Sequence, residues 1–440
     1  MKPKELLVFV EDQYCGILRE DDHGKHSFTY DGTQPNPPQL SLSMPLRSEP
    51  WTGKPVEAYI DGVLPDERAI RSRIASLYDD VNANNPFSLL TAIGLDCAGG
   101  VQFVLPEHAD SFRQDATLKP ISEGEIARRL RGIAGTGGRS WQMNDEHWSL
   151  NGAQDKIALR FEHGQWFEAL GSAATTHIIK PGISGYHEQA FNEYVCMKAI
   201  QKLGIPTATT DFRVFDGLPV LVSTRWDRRL IIRADGTTTI ARIHQEDFCQ
   251  ATSHMTSEKY QAEGGPGAEE IAACIRDNAL GNDSATLFLI ALILNFLMAG
   301  TDAHAKNYAI LEPIGARPTL APLYDIASMH AYDTQYRQRK LAMKIGGENN
   351  YERIELRHWR KLAERTRIVD TGIMELLLTE YALKLPEAFH VAGEETLQLS
   401  KTVLGADDET RRNREKLVER IQQGINAQCR HVASWFWPES

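Results

Sequence analysis

The chain has 440 residues, 42% hydrophobic and 24% charged, a globular composition too long for one core, so two lobes or domains are expected. A formal net charge of −11 argues against autonomous binding to nucleic acid. No apolar run reaches the about 20 residues that cross a bilayer, the start Met1-Lys2-Pro3-Lys4-Glu5 does not read as a signal peptide, and six scattered cysteines lack metal-ligand spacing, so a cytoplasmic protein with free or buried thiols is expected.

Short strands are predicted at Leu6–Val10, Gly16–Arg19 and Ser27–Tyr30, with a helix over Asp66–Leu77, in a first segment spanning residues 1–105. The stretch GIAGTGGRS at 132–140 reads as a connector. Ser149-Leu150-Asn151-Gly152-Ala153-Gln154-Asp155-Lys156 is a small, polar run leading into a strand at Ile157–Arg160. Such a loop lets backbone N–H groups approach and cover nucleotide phosphates, although it is not a Walker motif and its composition equally suits a hairpin turn. Alternation over Thr176–Lys180 predicts a strand ending in Lys180. Apolar spacing over Phe191–Met197 predicts a helix carrying Glu193. A strand Lys on the phosphates with a helix Glu orienting it is the kinase arrangement. A hairpin at Asp235-Gly236 is predicted before the second segment, 106–245, closes.

After Glu246 the pattern is helical almost throughout, in a third segment, 246–440. Thr286 to Ala299 is almost wholly apolar and reads as a helix buried on all sides, with Asn295 as its one interruption. Directly after it comes Gly300-Thr301-Asp302-Ala303-His304-Ala305-Lys306-Asn307, and further on Leu323-Tyr324-Asp325. Phosphoryl transfer needs a carboxylate to accept the proton of the attacking hydroxyl and hard oxygens to hold Mg2+ on the phosphates. Asp302 fits the base, and Asn307 and Asp325 fit the metal ligands. Short strands are predicted at Tyr308–Leu311 and Leu320–Tyr324, which would set the two acidic groups facing each other. Arg357–Arg367 is a basic, helix-like run, as is Arg411–Lys416; a solvated helix face is the ordinary reading of such runs.

The set SLNGAQDK, THIIK, NEY, RWDRR, QEDFCQ, GTDAHAKN, PLYDI and LAMKIGG, in this order, resembles the HipA family of bacterial serine/threonine toxin kinases. The N-terminal stretches LSLSMPL, DGVLPDE and NPFSLLTAIGLDCAGGVQF agree, so the resemblance runs to about residue 365. It implies that Asp302 is the general base, that Asn307 and Asp325 hold Mg2+, that Lys180 contacts the phosphates of ATP, and that Asn151–Lys156 covers them. Thr224, Arg225 and Trp226 match the family's adenine hinge, with Trp226 where Phe is frequent. The implied nucleotide-binding set also takes in His304, Ala305, Lys306 and Tyr324. Ser149 matches the family's autophosphorylation site. Arg365 and Arg367 match a region facing DNA phosphates, although Glu364 stands where a basic residue would help.

The expected fold is α+β, a kinase-like two-lobe architecture with a mixed α/β N-terminal part and an all-helical C-terminal part. The expected function is ATP-dependent phosphorylation of a protein Ser or Thr, by the toxin of a toxin–antitoxin pair. The resemblance implies three partners: a HipB-like helix-turn-helix antitoxin dimer, operator DNA reached through that complex, and an aminoacyl-tRNA synthetase as substrate. A catalytically silent, DNA-bound co-repressor is the alternative from another class, and a small-molecule kinase is a third. The joint presence of Lys180, Asp302, Asn307 and Asp325 favours the enzyme.

Overall fold

The structure is a computed structural model and describes residues 4–134, 146–150, 152, 154–183, 185–232, 238–332, 339–402 and 405–437. Asn151, Ala153, most of the glycine-rich connector and the Asp235-Gly236 turn lie outside the described residues. The chain packs as two compact units. The first comprises Met1–Ile179, Thr224–Lys259 and Ala309–Pro318, the second Lys180–Ser223, Tyr260–Tyr308 and Thr319–Ser440. Only the segment 1–105 of the three linear segments falls whole within one unit; 106–245 and 246–440 are each divided.

In the first unit an antiparallel sheet runs in the order Trp51–Thr52, His26–Tyr30, Gln13–Glu20, Lys4–Val10, Val101–Val104. Leu6, Val8 and Val10 alternate along one strand and are fully buried, the period-two pattern of a half-covered sheet. Helices Lys54–Gly62, Arg68–Ala75 and Pro86–Ile93 follow. Further along, Thr117–Ile121 pairs with Gln165–Leu170, which pairs with Ile157–Glu162. Ile157–Leu159 in turn pairs with His177–Ile179. The hairpin between Glu162 and Gln165 turns on His163 (φ 50) and Gly164 (φ 79), the two positive φ values that match the twist of the strands. Arg228–Ile232 and Thr238–Arg242 pair antiparallel, as the predicted hairpin requires.

The second unit is built on helices. Asn282–Met298 is buried on all sides from Phe288 onward and packs against Ala268–Asp277, Thr371–Thr402 and Asp408–Ser434. Phe296 from this helix meets the rings of Tyr351, Trp359 and Trp435. The helix Gln189–Lys202 carries Glu193 and packs on Thr371–Thr402. The C-terminal third is not wholly helical: Lys340–Ile345 and Glu348–Asn350 form an antiparallel ribbon. Its turn needs Gly346, because a Cβ there would lie 2.0 Å from the His358 carbonyl oxygen. The strand predicted at Leu320–Tyr324 is only Thr319–Leu320. Beyond it Leu323 is pinned by main-chain bonds to Pro206 and Ala208. All six cysteines are free and buried, and among the described residues no helix is long and apolar enough to cross a membrane.

Candidate active site

The loop bearing Asp302 leaves the buried helix through Ala299, in the left-handed region at φ 53. Gly300 N–H then bonds to the Asn295 carbonyl at 2.7 Å. A Cβ on Gly300 would fall 2.2 Å from Asn295 Oδ1, so a larger residue would push the loop off the helix end. Asn295, the polar interruption, donates to Ala291 O at 2.9 Å and reaches the Tyr308 hydroxyl at 3.4 Å. It thus satisfies its own burial while touching the residue that ends the loop. Within the loop, the Asp302 carbonyl accepts from His304 N–H at 2.8 Å and from Asn307 Nδ2 at 2.9 Å. That bond orients the amide, and Asn307 keeps Oδ1 as an oxygen for other use. His304, Ala305, Lys306 and Asn307 are buried, whereas the Asp302 side chain is exposed. The scaffold fixes the loop and presents its carboxylate.

Lys180 lies in the same unit, with Nζ 2.6 Å from Asp325 Oδ1 and 3.2 Å from Glu193 Oε1. Burial works against its ammonium, but Asp325 and Glu193 outweigh it and raise the pKa above the usual lysine value. Burial raises the Glu193 carboxyl, and Lys180 opposes that shift. A lysine held charged between two carboxylates is ready to exchange one of them for phosphate oxygens. Asp325 itself sits at φ 60, a sparsely populated conformation for a non-glycine residue that concentrates at functional sites. Tyr324 donates to the Lys306 carbonyl at 2.8 Å, tying the Asp325 segment to the Asp302 loop.

In the first unit, Ser149 is buried, its Oγ donating to Val63 O at 2.7 Å and its N–H to Asp96 O at 3.0 Å. Gly152 N–H bonds to Asp66 Oδ1 at 2.9 Å, and Asp66 N–H returns to Gly152 O at 3.2 Å. Gly152 adopts φ 100, and a Cβ there would meet Lys156 Nζ at 2.6 Å. Lys156 is buried and Gln154 half-buried. Asp155 lies 3.7 Å from Arg73, and burial raises its pKa. Thr224 is exposed and Trp226 half-buried, with Trp226 Nε1 bonded to Gln245 Oε1 at 2.7 Å.

Arg225 differs from its neighbours. Its N–H bonds to Thr176 O at 2.9 Å, and its guanidinium is committed to Asp227, Thr175 and the Cys97 carbonyl. What it has left to offer a ligand is its carbonyl. The same interior holds Arg228 and Arg242 on Asp96 at 2.9 and 3.1 Å. Burial alone would raise Asp96, but Arg228, Arg242 and Arg225 hold it well below the usual carboxylate range. Asp96 therefore anchors both the arginine cluster and the backbone of Ser149.

Arg365 is exposed and paired with Glu269 at 3.0 Å, a surface contact of little energetic weight. Arg367 ends the helix Leu356–Thr366 at φ 49. Among the described residues, sequence reasoning passed over Asp66, Asp96, Asn192 and Tyr260, each of which holds a site segment. Their partners lie far away in the chain; Asp66 in DGVLPDE, Asp96 in NPFSLLTAIGLDCAGGVQF and Asn192 in NEY stand within stretches that carry the resemblance, whereas Tyr260 lies outside all of them.

Comparisons with known proteins show the family and the fold. The family model for the HipA N-terminal domain matches residues 6–104, and that for the HipA-like C-terminal domain matches residues 148–389. A putative kinase, Y4mE, of Sinorhizobium fredii is 31% identical over 84% of this chain and 87% of its own. The serine/threonine-protein kinase toxin HipA of Shewanella oneidensis is 30% identical over 70% of each chain. A chain from the solved complex of Shewanella oneidensis MR-1 HipA, HipB and operator DNA shares the fold. Its TM-score is 0.78 at 24% identity, covering 99% of this chain and 100% of that one.

Proposed function

The chain belongs to the HipA family, and we propose that it transfers the γ-phosphate of Mg-ATP to a protein Ser or Thr hydroxyl, as the toxin of a toxin–antitoxin pair. The observation that carries this reading is the half-buried Lys180, held by Glu193 and Asp325 in the unit whose loop exposes Asp302. Asp302 accepts the proton of the attacking hydroxyl. Lys180 gives up a carboxylate contact to grip the phosphates.

A magnesium ion on a nucleotide needs only one or two protein oxygens, with phosphates and water completing its shell. The Asp325 carboxylate and Asn307 Oδ1 are oxygens of that kind and would hold it. Among the described residues no group of three or more His, Cys, Asp or Glu side chains forms a metal cage. The ion supplies neutralisation of phosphate charge.

On this reading Asn151–Lys156 covers the phosphates, Thr224–Trp226 contacts adenine through main-chain groups, and His304, Ala305, Lys306 and Tyr324 belong to the nucleotide-binding set. Autophosphorylation falls on Ser149. The substrate is an aminoacyl-tRNA synthetase. A HipB-like helix-turn-helix dimer brings the chain to operator DNA, where Arg365 and Arg367 meet phosphates; the fold shared with the Shewanella complex supports that partnership.

Intact-mass spectrometry after incubation with Mg-ATP tests the proposal. The wild-type chain gains phosphate, and Asp302→Asn gains it ~10²–10⁴-fold more slowly, the usual range for general acid–base groups. A wild-type chain that gains none would leave the co-repressor role instead.

A further inference from the structure

Tyr260 lies beside the proposed base yet has no part in the reaction as set out above. Its hydroxyl donates to Asp302 Oδ1 at 2.6 Å, the length of a charge-assisted bond between a hydroxyl and a carboxylate. Its ring meets His304 edge-on, with centroids 4.9 Å apart and planes at 86°.

The tyrosine is fixed from behind. Its carbonyl accepts from Glu263 N–H at 2.9 Å and Gly265 N–H at 3.1 Å. Gln261, the next residue, accepts from Lys344 N–H at 2.7 Å through Oε1. On the same strand, Lys340–Ile345, Ala342 N–H bonds to the Thr301 carbonyl at 3.0 Å. N–H groups two residues apart on a strand point the same way. One strand edge therefore holds both the turn that carries Tyr260 and the loop that carries Asp302, and the short bond between them is set by that shared support.

An exposed carboxylate rotates broadly about its last torsion and offers either oxygen. A hydroxyl fixed on Oδ1 removes that freedom. We infer that Tyr260 is a positioning residue for the phosphotransfer step: it holds Oδ1 and thereby aims Oδ2 at the acceptor hydroxyl. The inference rests on the reading of Asp302 as the base.

Tyr260→Phe is the informative variant, because it keeps the ring against His304 and removes only the hydroxyl. The measurement is the rate of phosphate incorporation into the full chain across a range of Mg-ATP concentrations. The maximal rate falls roughly 10- to 100-fold, as for loss of a hydrogen bond to a charged group, while the half-saturating Mg-ATP concentration stays unchanged. In an Asp302→Asn background Tyr260→Phe adds no further loss, since it acts through that carboxylate. A Phe variant at the wild-type rate overturns the inference. So does a faster one, which would make the hydroxyl a plug over the base, and so does phosphate found on Tyr260 itself. Full activity of Asp302→Asn would instead refute the base. A slow Asp302→Asn beside a wild-type Tyr260→Phe refutes the positioning role alone.

Discussion

The side-chain amide of Asn192 brackets the main chain of Ser328: Oδ1 accepts from Ser328 N–H at 2.9 Å, and Nδ2 donates to Ser328 O at 2.8 Å. Asn192 precedes Glu193, the helix carboxylate on Lys180. Ser328 lies three residues beyond Asp325, and its hydroxyl donates to Met298 O at 2.6 Å. One turn of helix thus sets both the orienting carboxylate of the lysine and the segment that carries the proposed metal ligand. Asn192→Ala takes the side-chain acceptor from the buried Ser328 N–H and leaves Ser328 O with only the 3.4 Å bond from Ala331 N–H, at a cost of about 1–3 kcal/mol. Urea unfolding should show that loss, together with weaker Mg-ATP binding. A variant of wild-type stability would remove Asn192 from the support of the site.

Asp325 should act on nucleotide with a sign that depends on metal. With Mg2+ present, Asp325→Ala loses a hard oxygen ligand and binding weakens. Without metal, the same change removes a carboxylate that competes with phosphate for Lys180 (2.6 Å away), so affinity holds or improves. Calorimetric titration with and without Mg2+ separates the cases. Equal losses in both would sink the ligand assignment.

Much of this site was legible in the sequence because its parts are local patterns. A continuous apolar run announced the helix Asn282–Met298, and the polar motif at its end announced the Asp302 loop. Alternation placed Lys180 on a strand, and apolar spacing placed Glu193 on a helix. The supports were not legible, because tertiary packing alone brings them to their partners. Tyr260 is 42 positions from Asp302, Asp66 is 86 from Gly152, and Asn192 is 136 from Ser328. No periodicity marks a lone Asn or Tyr for such a role. The turn at Glu11-Asp12, with φ 48 and 63, was equally hidden, since neither residue is the glycine that usually signals that conformation.

Glu246 and Glu312 of the first unit are both buried away from water and interact through their side chains. Glu246 also accepts from Ser41 Oγ at 2.6 Å and Leu42 N–H at 2.7 Å. Burial pushes Glu246 up to about 7; burial and then Glu246 push Glu312 well above its usual value. The folded pair therefore keeps a proton that the unfolded chain releases near 4.5. Stability from this source is complete below that value and is lost as pH rises through about 7. Glu312→Gln keeps the shape of the side chain and removes its titration. It should flatten the fall in melting temperature between about pH 5 and pH 8. An unchanged slope would mean that the pair does not govern it.

Arg365 and Arg367 stand at the end of the helix Leu356–Thr366, where Arg365 pairs with Glu269 at the surface. If they meet DNA phosphates within a complex with the antitoxin, replacing both with Ala reduces the salt dependence of operator binding, since each phosphate contact adds to that slope. Phosphate incorporation from Mg-ATP stays at the wild-type rate. A slope that does not move would return the pair to the ordinary solvated face.

Autophosphorylation at Ser149, if it occurs, should act as a switch because the residue is buried. At 1% exposure, with its hydroxyl on Val63 O and its N–H on Asp96 O, the side chain has no room for a phosphate. That group adds about −1.5 to −2 charge and three strong acceptors. Phosphorylation must therefore draw Ser149 out of the interior. Gly152, three residues on, is clasped by Asp66, which Lys259 holds in turn at 2.9 Å. Extraction of Ser149 pulls against that clasp, and the loop proposed to cover ATP leaves with it. The chain phosphorylated at Ser149 should bind ATP more weakly than the unmodified chain. Asp66→Ala, which opens the clasp with no phosphate present, should weaken ATP in the same direction but less. Ser149→Ala, which loses only the bond to Val63, should keep its affinity. Equal ATP affinities for the phosphorylated and unmodified chains would rule out silencing by loop ejection, even with phosphate on Ser149.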